Sequence, residues 1–186
     1  MKILTKKRTK KKIIINILIT CLVILAVAFF LIYNFAGTGE MTRKAAVECY
    51  FKAVSNSDKT LYKKVCYPDK WIKNYNPGEG VTLDKVLENT FSEQAAAANG
   101  ISYGNIKIIS YENLKRSEIE KFNEGMKTIY GIDFSVSKIE RVTMNVGVSD
   151  SNGNSGTVVK YIYKYHCKWY FLSDPLLLVN LNLDEK

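Results

Sequence analysis

The chain has 186 residues and a formal net charge of +9. Seven of its 27 basic residues fall in the first twelve positions, leaving 20 basic against 18 acidic residues elsewhere. The remainder is therefore nearly neutral, which excludes the basic stripe that a phosphate backbone needs, and no nucleic-acid partner is expected.

Residues 1–12 carry Lys2, Lys6, Lys7, Arg8, Lys10, Lys11 and Lys12 and no acid. Residues 13–33, IIINILITCLVILAVAFFLIY, follow with no charge in 21 positions, 15 of them Leu, Ile, Val or Phe. At about 1.5 Å per residue such a helix is roughly 31 Å long, near the thickness of a bilayer core. The sequence thus predicts a transmembrane helix over 13–33, with the bilayer as its partner. The cluster of Lys6, Lys7, Arg8, Lys10, Lys11 and Lys12 predicts a cytoplasmic N-terminus and an extracytoplasmic remainder in the cell membrane. Phe29, Phe30, Tyr33 and Phe35 are expected near the outer interface. A cleaved signal peptide fits less well, because the apolar run is long and Asn34-Phe35-Ala36 is not a small-x-small site. A lipidated cysteine at Cys21 would need a better residue than Thr20 before it and a shorter apolar run. A buried helix of a soluble domain would not be apolar all round beside seven cations. The basic tail reads as a topology determinant beside anionic lipid, with a cytoplasmic partner as the other reading.

Residues 34–41, NFAGTGEM, read as a short linker, and 42–186 as one domain large enough to bury its own core. Ala46, Val47, Tyr50, Phe51 and Val54 recur at helical spacing and predict a helix over 42–55. Asn56-Ser57-Asp58 is a turn that caps the next helix, 59–66, which Pro68 ends. Asp69 to Asn74 reads as a further helical turn, and residues 75–80 as a loop. Leu83, Val86, Leu87 and Phe91 predict a helix over 83–99 stopped by Gly100. Its alanine run, 95–98, suits close helix packing. Residues 101–112 carry a strand signal, with Gly104 a candidate bulge. Ser117-Glu118-Ile119-Glu120 reads as a capping box that opens a helix stopped by Gly131. Strands are expected over 136–149, 157–165 and 168–172, with a turn at 149–156 and a tight reversal at His166-Cys167. Leu176 to Leu183 is an apolar tail expected to pack on the domain or on a partner.

These elements make an α+β domain, with helices on one face of a curved antiparallel sheet. Residues 45–65 (AAVECYFKAVSNSDKTLYKKV), 126–146 (MKTIYGIDFSVSKIERVTMNV) and 160–174 (KYIYKYHCKWYFLSD) resemble the nuclear transport factor 2-like superfamily. Many members close with an Asp-Gly-Lys-Trp-type hairpin. Here the turn is His166-Cys167-Lys168-Trp169, without the glycine. The resemblance implies a cone-shaped domain and specifies no function. Membrane-anchored members of this layout include bacterial envelope proteins: scaffold subunits of type IV secretion and conjugation machines, and domains that precede a transpeptidase. No transpeptidase is expected here.

The chemistry-bearing residues are few. Cys49, Cys66 and Cys167 form no CxxC pair, and a Cys49–Cys66 bridge requires their helices to pair. No metal-ligand cluster and no cofactor motif is seen. His166 falls at a predicted turn, and adjacent strand residues point to opposite faces, so a His166–Cys167 nucleophilic pair is not expected. Glu140 shares parity with Val142 and Val146, which makes it a candidate inward acid. Tyr161, Tyr163 and Tyr165 share a strand face, with Trp169 on the next strand; they suit a sheet core, a partner interface or a ligand pocket. Two functions follow as expectations. One is a non-enzymatic binding or scaffold domain that docks an envelope protein or itself through the open sheet face and the apolar tail. The other is a small-molecule-binding or enzymatic cone with a closed cavity and an inward polar group.

Overall fold

The computed structural model describes residues 15–29, 37–75, 80–97, 102–149 and 155–181. The basic tail, the aromatic positions 30, 33 and 35, most of the loop at 75–80, the Gly100 stop and most of the turn at 149–156 lie outside the described residues, as do the side chains of the alanine run. The chain divides into residues 1–36 and the unit Gly37–Lys186.

In the first unit, helix α1 covers residues 15–29. Thr20 donates its hydroxyl to the Asn16 carbonyl one turn back at 2.9 Å, so the two polar side chains of the apolar stretch lie on one helix flank. Fifteen residues rise about 22 Å, against a hydrocarbon core of roughly 30 Å. Among the described residues no helix is long and apolar enough to cross a membrane. The predicted transmembrane helix over 13–33 is corrected accordingly. Single-pass anchoring in the cell membrane, the cytoplasmic N-terminus and the extracytoplasmic placement of the domain lose their support with it. The expectation counted 21 uncharged residues as one helix; positions 13, 14 and 30–33 lie outside the described residues.

The second unit is α+β. Helix α2 (Arg43–Ser55) opens at Thr42, whose hydroxyl accepts from the Ala45 N–H, and buries Ala46, Val47, Tyr50, Phe51 and Val54. Helix α3 (Lys59–Cys66) is capped by the Asp58 carboxylate on the Leu61 N–H at 2.9 Å. Pro68 then starts α4 (Asp69–Asn74), which buries Trp71. Helix α5 spans Leu83–Ala97 and strand β1 Ser102–Asn113. Helix α6 (Arg116–Tyr130) ends on Gly131 at φ 64°, a left-handed cap that a side chain would disfavour. It begins one residue before Ser117. Glu118, not Glu120, reaches back to the Lys115 N–H at 2.6 Å, and Glu120 instead pairs with Arg116.

Strands β2 (Lys138–Ser149), β3 (Ser155–Tyr165) and β4 (Lys168–Leu172) complete an antiparallel sheet of order β1-β2-β3-β4. β1 slips register on β2 at Gly104–Lys107 and again at Ile108–Ser110. Helix α7 (Pro175–Asn180) is capped by Asp174 on the Leu177 N–H, and Leu177 and Leu181 are buried.

Helices cover both faces of the β3–β4 end rather than one. On one face Tyr50 of α2 stacks on Phe171 at 3.5 Å, beside buried Ile162. On the other, Tyr163 meets Trp71 of α4 and Phe122 of α6. Residues Gly37 to Met41, expected to act as linker, are tied to the domain. Gly39 donates to the Lys64 carbonyl, and Glu40 and Trp169 exchange backbone hydrogen bonds of 2.7 and 2.9 Å. That contact pairs the β4 edge at Trp169, whose backbone groups would otherwise be open.

Candidate functional site

Antiparallel pairing puts directly opposed residues on the same face. One row across the sheet is Lys138, Lys164 and Trp169; the next is Glu140, Ile162 and Phe171. The first turn of α2 brings Arg43 onto the same face. Glu140 is 2% exposed and receives Arg43 on both carboxylate oxygens at 3.3 Å and Lys138 on Oε1 at 2.7 Å. Lys138, Lys164 and Arg43 place their cationic groups 5.6, 5.7 and 6.0 Å from the Trp169 ring centroid. Arg43 also lies 4.2 Å over the Tyr111 ring. Each such contact contributes on the order of 0.5–1 kcal/mol at half-exposed sites.

Lys138 and Lys164 also line an open groove of about 760 Å³ between the first turns of α6 and the paired ends of β2 and β3. Its apolar lining is Leu114 and Ile119, half-buried, over the buried side chains of Val136 and Ile139, and its rim carries Arg116 and Glu120. Asn123 holds one wall by bonding both backbone groups of Val136, at 2.8 and 3.0 Å.

The predicted tyrosine face is placed differently from a ligand wall. Tyr163 is fully buried, stacked on Tyr170, and donates its hydroxyl to the Cys66 carbonyl at 2.7 Å. Burial pushes its hydroxyl well above the usual tyrosine range. Tyr165 stacks on Phe134 at 4.3 Å, and Tyr161 is half-buried opposite Arg141 and Leu172. The structure brings Glu140 and Trp169 together but separates both from the tyrosines, which lie on the opposite sheet face. None of these five side chains lines the groove itself. Sequence reading missed Arg43, Lys138, Lys164 and Arg116. The available signal was the i, i+2 spacing of Lys138 and Glu140, which puts both on one strand face.

A second cavity, of about 320 Å³, lies where α2 meets the far end of the sheet and is lined by Tyr50, Phe51, Tyr103, Val146, Val158 and Lys160 among others. Burial raises the Tyr50 hydroxyl, which stays neutral at ordinary pH. The part of the sheet face left open carries Lys107, Ser110, Glu112, Thr143, Asn145 and Thr157, with Val159 half-buried opposite Thr143, a mainly polar surface. His166 is exposed at φ 51° in the two-residue hairpin, against the Tyr165 ring. All four cysteines are free, so Cys49 and Cys66 are not bridged. Among the described residues no group of three metal-ligating side chains converges. No protein-family model matches this chain, and no curated protein shows similarity to it.

Proposed function

We propose that residues 37–186 form a non-catalytic docking domain that binds a partner protein in the groove between α6 and the β2–β3 strand ends. The observation that carries this reading is the groove itself: an apolar lining inside a rim of Arg116, Glu120, Lys138 and Lys164. A rim of charge around an apolar floor is the anatomy of a protein interface. The buried ionisable groups support it, because they are engaged in structural bonds. Tyr130 donates to Asp174 at 2.7 Å, Asp174 caps α7, and Glu140 ties α2 to β2. The resemblance to the nuclear transport factor 2-like superfamily belongs to this proposal as a fold and adds no function to it.

A photo-crosslinking residue placed at Arg116 is expected to give a discrete adduct in the cells of origin. The same residue at Lys107, on the open polar face, is expected to give none. Equal adducts at both positions, or none at either, would contradict the reading. The 320 Å³ cavity favours a second reading, a site for a small apolar ligand. It predicts that Val158→Trp abolishes ligand binding and leaves the Arg116 adduct intact.

A further inference from the structure

We infer that the segment taken by this groove is acidic: a stretch of partner chain whose carboxylates meet Lys164, Lys138 and Arg116 while an apolar side chain seats on Leu114 and Ile119. The inference rests on the docking reading and names the chemistry of its partner.

The first ground is a broken local rule. Lys138 and Lys164 are directly opposed on neighbouring strands. Like charges so placed are destabilising. Glu140 offsets the pair on the Lys138 side alone, at 2.7 Å, which leaves the Lys164 charge, and departures from local consistency concentrate at functional sites.

Local charge is the second. Three cations, Arg43, Lys138 and Lys164, surround one indole, and the only carboxylate paired with any of them among the described residues is Glu140. Glu140 is shared by Arg43 and Lys138, and no carboxylate of the described residues lies within salt-bridge distance of Lys164. The cluster holds two positive charges beyond its acid. Arg116 extends it along the groove rim, partly offset by Glu120.

Geometry decides the class of anion. A nucleic-acid backbone needs a long track of cations, and this near-neutral unit presents a short one. A peptide supplies a few spaced carboxylates and apolar side chains between them, matching three rim cations over an apolar floor. Glu140 acts as a positioning residue: it fixes the Lys138 ammonium from inside the sheet, so less freedom is lost when an anion arrives.

The test uses the full chain and fluorescence anisotropy with three short labelled peptides: alternating Glu and Leu, alternating Ser and Leu, and alternating Lys and Leu. The Glu–Leu peptide is expected to bind, more weakly as salt rises. Lys164→Glu and Arg116→Glu, which leave the Glu140 contacts in place, should each weaken it about tenfold. Lys107→Glu, on the open face, should leave it unchanged. Equal binding of the Ser–Leu peptide, insensitive to those two substitutions, would overturn the acidic partner and leave the docking groove standing. Binding of none of the peptides would overturn both. Preference for the Lys–Leu peptide would overturn the charge argument outright.

Discussion

Tyr163 shows how a single side chain joins three elements. Its hydroxyl satisfies the Cys66 carbonyl at the end of α3, one of the acceptors a helix terminus leaves without an intrahelical donor. Tyr163→Phe is expected to cost about 1 kcal/mol in urea denaturation, the net value of one hydrogen bond. Tyr163→Ala should cost about 3–5 kcal/mol, because it opens a cavity among Trp71, Phe122 and Phe134. Equal effects of the two substitutions would contradict that placement. Glu140→Gln keeps the shape and removes the charge that Arg43 and Lys138 share. It is expected to destabilise the domain by about 1–3 kcal/mol, with the loss reduced when Lys138 is also changed to Met. Parity made Glu140 legible in the sequence as an inward residue. Its partners were not legible, because Arg43 arrives from 97 positions away and Lys164 joins only through the β2–β3 register. The tyrosine face was legible as a face. Which helices cover it depends on how α4 and α6 return to the sheet, and no local pattern states that.

Among the elements, the segment Gly37–Met41 departs most from its sequence signal. Two glycines in a polar run read as a linker, yet Gly39 sits at φ 83° with the Tyr170 ring where a side chain would be. A Cβ there would lie 2.5 Å from the Tyr170 ring carbon that bears the hydroxyl, and that hydroxyl donates to the Thr38 carbonyl at 2.9 Å. Gly39→Ala combines an unfavourable left-handed backbone with a clash against a buried ring. The expected result is a loss of roughly 2 kcal/mol or more and faster amide exchange at Glu40 and Trp169, whose mutual bonds hold the strap. Unchanged exchange at both positions would show that the strap does not need the glycine. Elements with explicit start and stop chemistry were readable: Asp58 before α3, Pro68 after it and Gly131 after α6. Helix α6 starts earlier than its signal: the sequence offers Ser117-x-x-Glu120, whereas Glu118 takes the Lys115 N–H, and Lys115 is not a capping residue type. The bulge expected at Gly104 is present, and the second register slip at Ile108–Ser110 has no glycine to announce it.

At the scale of the whole molecule, the domain holds its helices to the sheet through aromatic rings, and this sets its response to alkali. Burial raises the hydroxyls of Tyr67, Tyr130 and Tyr163 well above the ordinary range, and pushes Tyr75 up to about 12. A group whose folded pKa exceeds its unfolded value of about 10 contributes stability fully below that pH and loses it as pH rises. Burial raises the Cys66 thiol too, so stability is expected to begin falling above about pH 9 and to fall more steeply above about pH 10, with tyrosinate absorbance appearing together with loss of the near-ultraviolet dichroism. Tyrosinate release from a molecule that keeps its dichroism would contradict this. The α+β class was legible from the change of period along the chain. The apolar stretch was legible as an uncharged run of 21 residues, of which the described residues 15–29 are helical. The central claim, that the working surface is the groove beside α6, is tested most directly by mapping amide shifts of the full chain as the Glu–Leu peptide is added. The account predicts shifts that cluster at Asn113–Asn123, Val136–Glu140 and Lys164. Shifts confined to the cavity around Tyr50, Tyr103 and Val158, or spread over the open polar face, would contradict it.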